Sequence, residues 1–95
     1  MNVSQMISAL DLTMAHDGGV DCEITGAMAA DLLSDVLANG APGEVWITVQ
    51  THGNVAPVAA AKDLAAVIVT AGREPSEKLL ALAAEEKVMV LCSAE

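Results

Sequence analysis

Residues 44–92 read EVWITVQTHGNVAPVAAAKDLAAVIVTAGREPSEKLLALAAEEKVMVLC, and three apolar runs stand out in them: Val45-Trp46-Ile47-Thr48-Val49, Ala66-Val67-Ile68-Val69-Thr70 and Val88-Met89-Val90-Leu91-Cys92. Each is short and mostly β-branched or aliphatic. Runs this continuous suit strands buried on both faces, as in a parallel sheet. Two helical segments separate them. The first spans about residues 55–62, with Asn54 as its cap and Pro57 in its first turn; the second runs from about Ser76 to Lys87, entered through Pro75. Apolar strands alternating with helices specify right-handed β-α-β crossovers, so this half of the chain is expected to be β-α-β-α-β.

Working outward, Asn2 can cap a first helix over residues 3–10, with Gln5 reaching back to it and Val3, Met6, Ile7 and Leu10 forming one apolar face. A short extended Leu12-Thr13-Met14 and a polar break at His16-Asp17-Gly18-Gly19 follow. Residues 22–29 alternate well enough for a strand, in which Gly26 suggests a bulge or a close backbone approach. Asp31 then occupies the place of an N-cap before Leu32, Leu33, Val36 and Leu37, and Asn39-Gly40 reads as a left-handed terminator. The expected fold is a small three-layer α/β domain with a mostly parallel sheet, supplemented by an N-terminal helix and one or two outer strands. At 95 residues the chain has room for one domain, over 1–95.

Composition narrows the function classes. The chain is 54% hydrophobic and 18% charged, which places it among folded proteins despite a net charge of -9. That charge repels phosphate backbones and anionic headgroups, so neither nucleic acid nor a membrane surface is expected as a partner. No apolar run approaches the roughly 18 residues that span a bilayer. The N-terminal residues lack a basic segment, and the expected location is cytoplasmic. Cys22 and Cys92 read as small buried hydrophobes, with no disulfide. Aromatics are 1% of the residues, so the core must come from Val, Ile, Leu and Met, and so thin a core favours self-association. Trp46 reads as a core or interface anchor.

Catalytic signatures are missing from the sequence. It has no phosphate-binding G-x-x-x-x-G-K-[ST], no G-x-G-x-x-G, no nucleophile elbow and no H-E-x-x-H. His16, His52, Cys22 and Cys92 lack the pairwise spacing of a zinc site, so neither metal nor cofactor is expected. Glu77, Glu85 and Glu86 read as a solvated helix face. What remains is the set of loops after the parallel strands, where open α/β sheets bind ligands. Thr51, His52 and Asn54 follow the first run, and Thr70, Gly72 and Arg73 follow the second. Arg73 is the only arginine; it follows a glycine and precedes a helix N-terminus, a setting suited to an anion. The structural alternative is that Arg73 pairs with a neighbouring acid.

Three stretches carry a resemblance to a family: Ala30-Asp31-Leu32-Leu33-Ser34-Asp35-Val36-Leu37-Ala38-Asn39, Val45 through Asn54, and Val69-Thr70-Ala71-Gly72-Arg73-Glu74-Pro75. Over nearly its full length the chain resembles the DRTGG domain. Such domains accompany CBS domains in pyrophosphatases, resemble the N-terminal domain of HPr kinase/phosphorylase and also occur alone, some linked with iron hydrogenases. The resemblance implies a non-catalytic regulatory or assembly module, a homodimer acting through an unknown protein partner, in a hydrogenase-linked or metabolic-regulation setting. The alternative is a sensor of a small, nucleotide-like anion at the strand-end loops. Where the family pattern has Thr-Gly-Gly, this sequence has Thr70-Ala71-Gly72.

Overall fold

The computed structural model describes residues 1–19 and 21–95. Nine elements follow in chain order: α1 (Val3–Leu10), β1 (Thr13–His16), β2 (Gly26–Ala29), α2 (Leu33–Asn39), β3 (Glu44–Thr48), α3 (Val55–Ala61), β4 (Ala66–Val69), α4 (Glu77–Glu86) and β5 (Val90–Cys92). The strands form one sheet in the order β1-β5-β4-β3-β2. The pairs β2–β3, β3–β4 and β4–β5 are parallel, and β1 joins β5 antiparallel.

Alternation along each parallel strand splits the core into two layers. Trp46, Val67, Val69, Val88 and Val90 face one side, where they meet Val36 of α2, Val55, Ala56 and Ala59 of α3, and Leu79 and Ala83 of α4. Val45, Ala66, Ile68, Met89 and Leu91 face the other and meet Val3 and Met6 of α1. These are the expected three layers. Both faces of the central strands are covered, so their residues are apolar without a break. Trp46 is fully buried, and its indole N–H donates to the Ala30 carbonyl at 2.7 Å, which satisfies its one polar atom.

The first helix forms over the predicted residues, for the predicted reason. Asn2 accepts from the Gln5 N–H and Gln5 reaches back to the Asn2 N–H, each at 2.9 Å. A second cap comes from outside the helix: Asp21 accepts from the Ser4 N–H at 2.9 Å and from its hydroxyl at 2.5 Å. These bonds hold the Asp21 carboxyl below its ordinary value. In α4, Ser76 caps the Leu79 N–H at 3.1 Å, and Lys87 ends the helix in a left-handed conformation.

Several local expectations are corrected. Asp31 does not cap α2; the cap position falls to Leu32, which offers no side-chain bond. Gly40 ends α2 in an extended conformation, φ -66°, and its need for glycine is steric, since a Cβ there would lie 2.7 Å from the Val36 carbonyl oxygen. Asn54 is helical, with no capping bond from its side chain. The 22–29 strand shortens to Gly26–Ala29 because Cys22 and Glu23 are drawn to α1: Val3 N–H donates to the Cys22 carbonyl, and Asn2 bridges Glu23. Gly26 carries no bulge, as β2 and β3 pair without a shift. The irregularity lies in β1 instead, between Met14 and His16. Both cysteines are free and half-buried, so neither is the fully buried hydrophobe expected of it.

Candidate functional site

The parallel register brings the ends of β2, β3, β4 and β5 to one edge, as the sequence pattern requires: Ala29 opposes Ile47, Thr48 opposes Val69, and Val69 opposes Cys92. Side chains then tie the strand ends together. Asp31, just past β2, accepts from the Thr48 hydroxyl and the Val49 N–H, both at 3.2 Å. Gln50 donates its side-chain amide to the Asp31 carbonyl at 2.8 Å. Thr70, just past β4, donates its N–H and its hydroxyl to the Thr48 carbonyl at 2.9 and 3.3 Å. Thr48 is thereby fully used, which is how the core holds a buried hydroxyl.

Beyond Thr70 the chain reverses in two residues. The Arg73 N–H returns to the Thr70 carbonyl at 3.3 Å, and Ala71 and Gly72 have φ of 61° and 66°. Two left-handed residues in succession mark a type I′ turn, which favours glycine at both places. The Gly72 N–H donates to the Ser93 carbonyl at 3.1 Å, fixing the turn against the segment after β5. Arg73 is exposed, and among the described residues the one ion pair joins the Met1 ammonium to Glu23, so the guanidinium has no acidic partner there.

The six candidate residues fall into two groups. Gly72 and Arg73 line a shallow cavity of about 280 Å³ together with Thr13, Glu74, Cys92 and Ser93, and Thr70 forms the base of the turn above it. Thr51, His52 and Asn54 belong to the turn before α3, where the Thr51 carbonyl receives the Ser76 N–H at 3.1 Å; none of the three lines that cavity. Burial, reinforced by the Glu74 carboxylate, raises the pKa of the Cys92 thiol in the cavity wall, so at neutral pH the group is a protonated thiol. The start of α4 is partly satisfied already: Ser76 holds the Leu79 N–H, and Glu77 puts a negative charge in the first turn.

The shallowness has a topological cause. Ligand crevices in open α/β sheets form where the strand order reverses and successive crossovers go to opposite faces. Here β2, β3, β4 and β5 are laid down side by side in one direction, with α2, α3 and α4 all on one face. A larger cavity, about 360 Å³, lies at the opposite edge beside Gly18, Cys22, Gly43, Ala65 and Met89, with Glu23, Asp63 and Glu86 also in its lining. Sequence reasoning missed this cavity. It also missed the Asp31–Thr48–Gln50 knot, whose members are separated in the chain and share no motif. Among the described residues no set of three His, Cys, Asp or Glu side chains is placed to hold a metal ion. No helix among them is long and apolar enough to cross a membrane.

No family model matches the chain, and no curated protein matches it. A solved structure does: the crystal structure of the CBS and DRTGG domains of the regulatory region of Clostridium perfringens pyrophosphatase, complexed with the activator diadenosine tetraphosphate. The TM-score is 0.75 at 13% sequence identity, over 98% of this chain and 41% of that one. The chain thus spans under half the length of the structure it matches. The shared fold agrees with the DRTGG resemblance of the sequence and establishes a DRTGG-like α/β architecture.

Proposed function

We infer that residues 1–95 form a non-catalytic regulatory or assembly module that works as a homodimer in the cytoplasm and acts on a partner protein by contact. The observation that carries this reading is the fold: nearly the whole chain superposes on part of a regulatory region. A thin, alanine-rich core supports self-association, as do the exposed Leu10, Leu32 and Leu37. The hydrogenase-linked or metabolic setting rests on the resemblance of the sequence to the DRTGG family alone. Light scattering at micromolar concentration tests the dimer. Twice the 9.7 kDa chain mass is expected, and a monomer mass contradicts the reading.

A second reading, a sensor of a nucleotide-like anion, is favoured by one feature of this chain. Arg73 lacks an acidic partner among the described residues and stands at a cavity with Gly72. The structural neighbour was crystallised with a polyphosphate activator, a ligand of this chemical class. Nucleotides and inorganic phosphates are then expected to raise the melting temperature, and Arg73→Ala to abolish that rise while leaving the unliganded protein nearly as stable, because an exposed charge contributes little to folding. A strongly destabilised Arg73→Ala protein, or a screen that shifts neither protein, removes this second reading.

A further inference from the structure

The two edges of the sheet differ. β1 is broken by a shift between Met14 and His16 and flanked by Asp11 and Asp17. Such breaks and charges are how edge strands avoid unwanted pairing. At the other edge, β2 runs Gly26-Ala27-Met28-Ala29 with no charge, no proline and no bulge, and no strand lies on its outer side. Its free length is short. Before β2 the outward Ile24 N–H donates to the Met1 carbonyl at 2.9 Å, so the N-terminal segment covers the edge at that residue. Past β2 the Ala30 N–H turns inward to the Ile47 carbonyl at 3.1 Å. Alternate residues of a strand point their N–H and C=O to the same side, so Met28 faces β3 with Ala30, and exposed Ala27 and Ala29 hold the open donors and acceptors.

With a net charge of -9, two copies of this chain meet most readily where the carboxylates are already engaged. Around β2 they are. Asp31 is turned onto the Thr48 hydroxyl and the Val49 N–H, Glu44 accepts from the Ala41 N–H at 2.6 Å, and Glu23 pairs with the Met1 ammonium. Asp35 stands in the first turn of α2, where the helix N-terminus favours it. The open groups are also self-complementary, because Ala27 and Ala29 lie symmetrically about Met28, as a contact between identical surfaces requires. We propose that the homodimer forms through β2, with Ala27 and Ala29 of each copy pairing antiparallel with Ala29 and Ala27 of the other about a twofold axis at Met28. The proposal rests on the homodimer reading above and names its interface. So short a strand pair removes less than the roughly 800 Å² per partner of a standard interface, and neighbouring apolar residues must supply the rest. This register brings Leu32 of one copy to the level of Ile24 in the other, beside Met1, and Leu32 and Met1 are 63% and 58% exposed in the single chain.

Amide hydrogen exchange on the isotope-labelled full chain reads this interface without any substitution. The Ala27 and Ala29 N–H groups have no acceptor within one copy. Their exchange should slow at least about tenfold from dilute to concentrated samples, in step with the dimer fraction from light scattering, while solvent-facing amides of β1 stay fast. Ala27→Pro removes a pairing donor and leaves the bonds to β3 in place. It should raise the dimer dissociation constant at least about tenfold with an unchanged circular dichroism spectrum. Where that variant fails to fold, crosslinking decides: in a Cys22→Ala, Cys92→Ala background, Met28→Cys should oxidise to a covalent dimer, since residues facing each other across the axis lie within disulfide reach, and Met14→Cys should not. A dimer whose Ala27 and Ala29 amides exchange fast at every concentration overturns the β2 interface alone. So does a dimer left as tight by a folded Ala27→Pro. Protection at these amides that ignores concentration assigns the edge to another occupant and also overturns it. A monomer mass throughout overturns the homodimer reading, and the interface with it.

Discussion

Ala71 is the position where residue chemistry and backbone disagree most openly. Its φ of 61° belongs to the left-handed region, which costs an L-residue roughly 1–2 kcal/mol, whereas glycine adopts it freely. Glycine also loses more entropy on folding, roughly 0.5–1 kcal/mol, so Ala71→Gly should stabilise by a net amount of about 0.5–1 kcal/mol. A rise in melting temperature of about 3–6 °C checks this, and a fall would show that the alanine methyl makes a contact of value. Asp21 gives a pH signature. Its carboxyl is held below the ordinary 3.8 by bonds from Ser4. A depressed carboxylate contributes its full stabilisation above the unfolded value, and this is lost as pH falls through the folded one. Asp21→Asn should therefore lower stability at pH 7 and converge with the parent protein in acid; parallel curves over the whole range would contradict it.

Among the elements, all four helices were legible in the sequence, but the caps read for α2 and α3 were not the ones that form. α1 follows its Asn2 signal because that cap lies close in sequence to the N–H it satisfies, and α4 follows its entry through Pro75, with Ser76 supplying the cap. The three apolar runs became β3, β4 and β5, and the parallel register followed from their uninterrupted hydrophobicity. Asp31 shows the limit. Its spacing from α2 suits a cap, yet Thr48 and the Val49 N–H, neighbours only through the sheet, take its carboxylate instead. The candidate site was half legible for the same reason: β-α-β logic finds the loops at the strand ends but not which loops share a cavity. The role of Asp31 is testable. Asp31→Ala should speed hydrogen exchange at Val49 while leaving the α2 amides unchanged, whereas a faster α2 would restore the capping role.

At the scale of the whole molecule, two thin core layers with Trp46 as the one large aromatic must stabilise five strands and four helices. One eight-residue helix, α1, covers the face opposite α2, α3 and α4. A standard interface removes about 800 Å² per partner, a substantial share of the 5046 Å² this chain exposes, so dimer formation would add appreciably to its buried surface. Stability coupled to association depends on concentration by mass action. The most direct measurement is therefore the melting temperature of the intact chain at concentrations a hundredfold apart. The homodimeric module predicts a clear rise with concentration. The same melting temperature at both, with a monomer mass throughout, would contradict it.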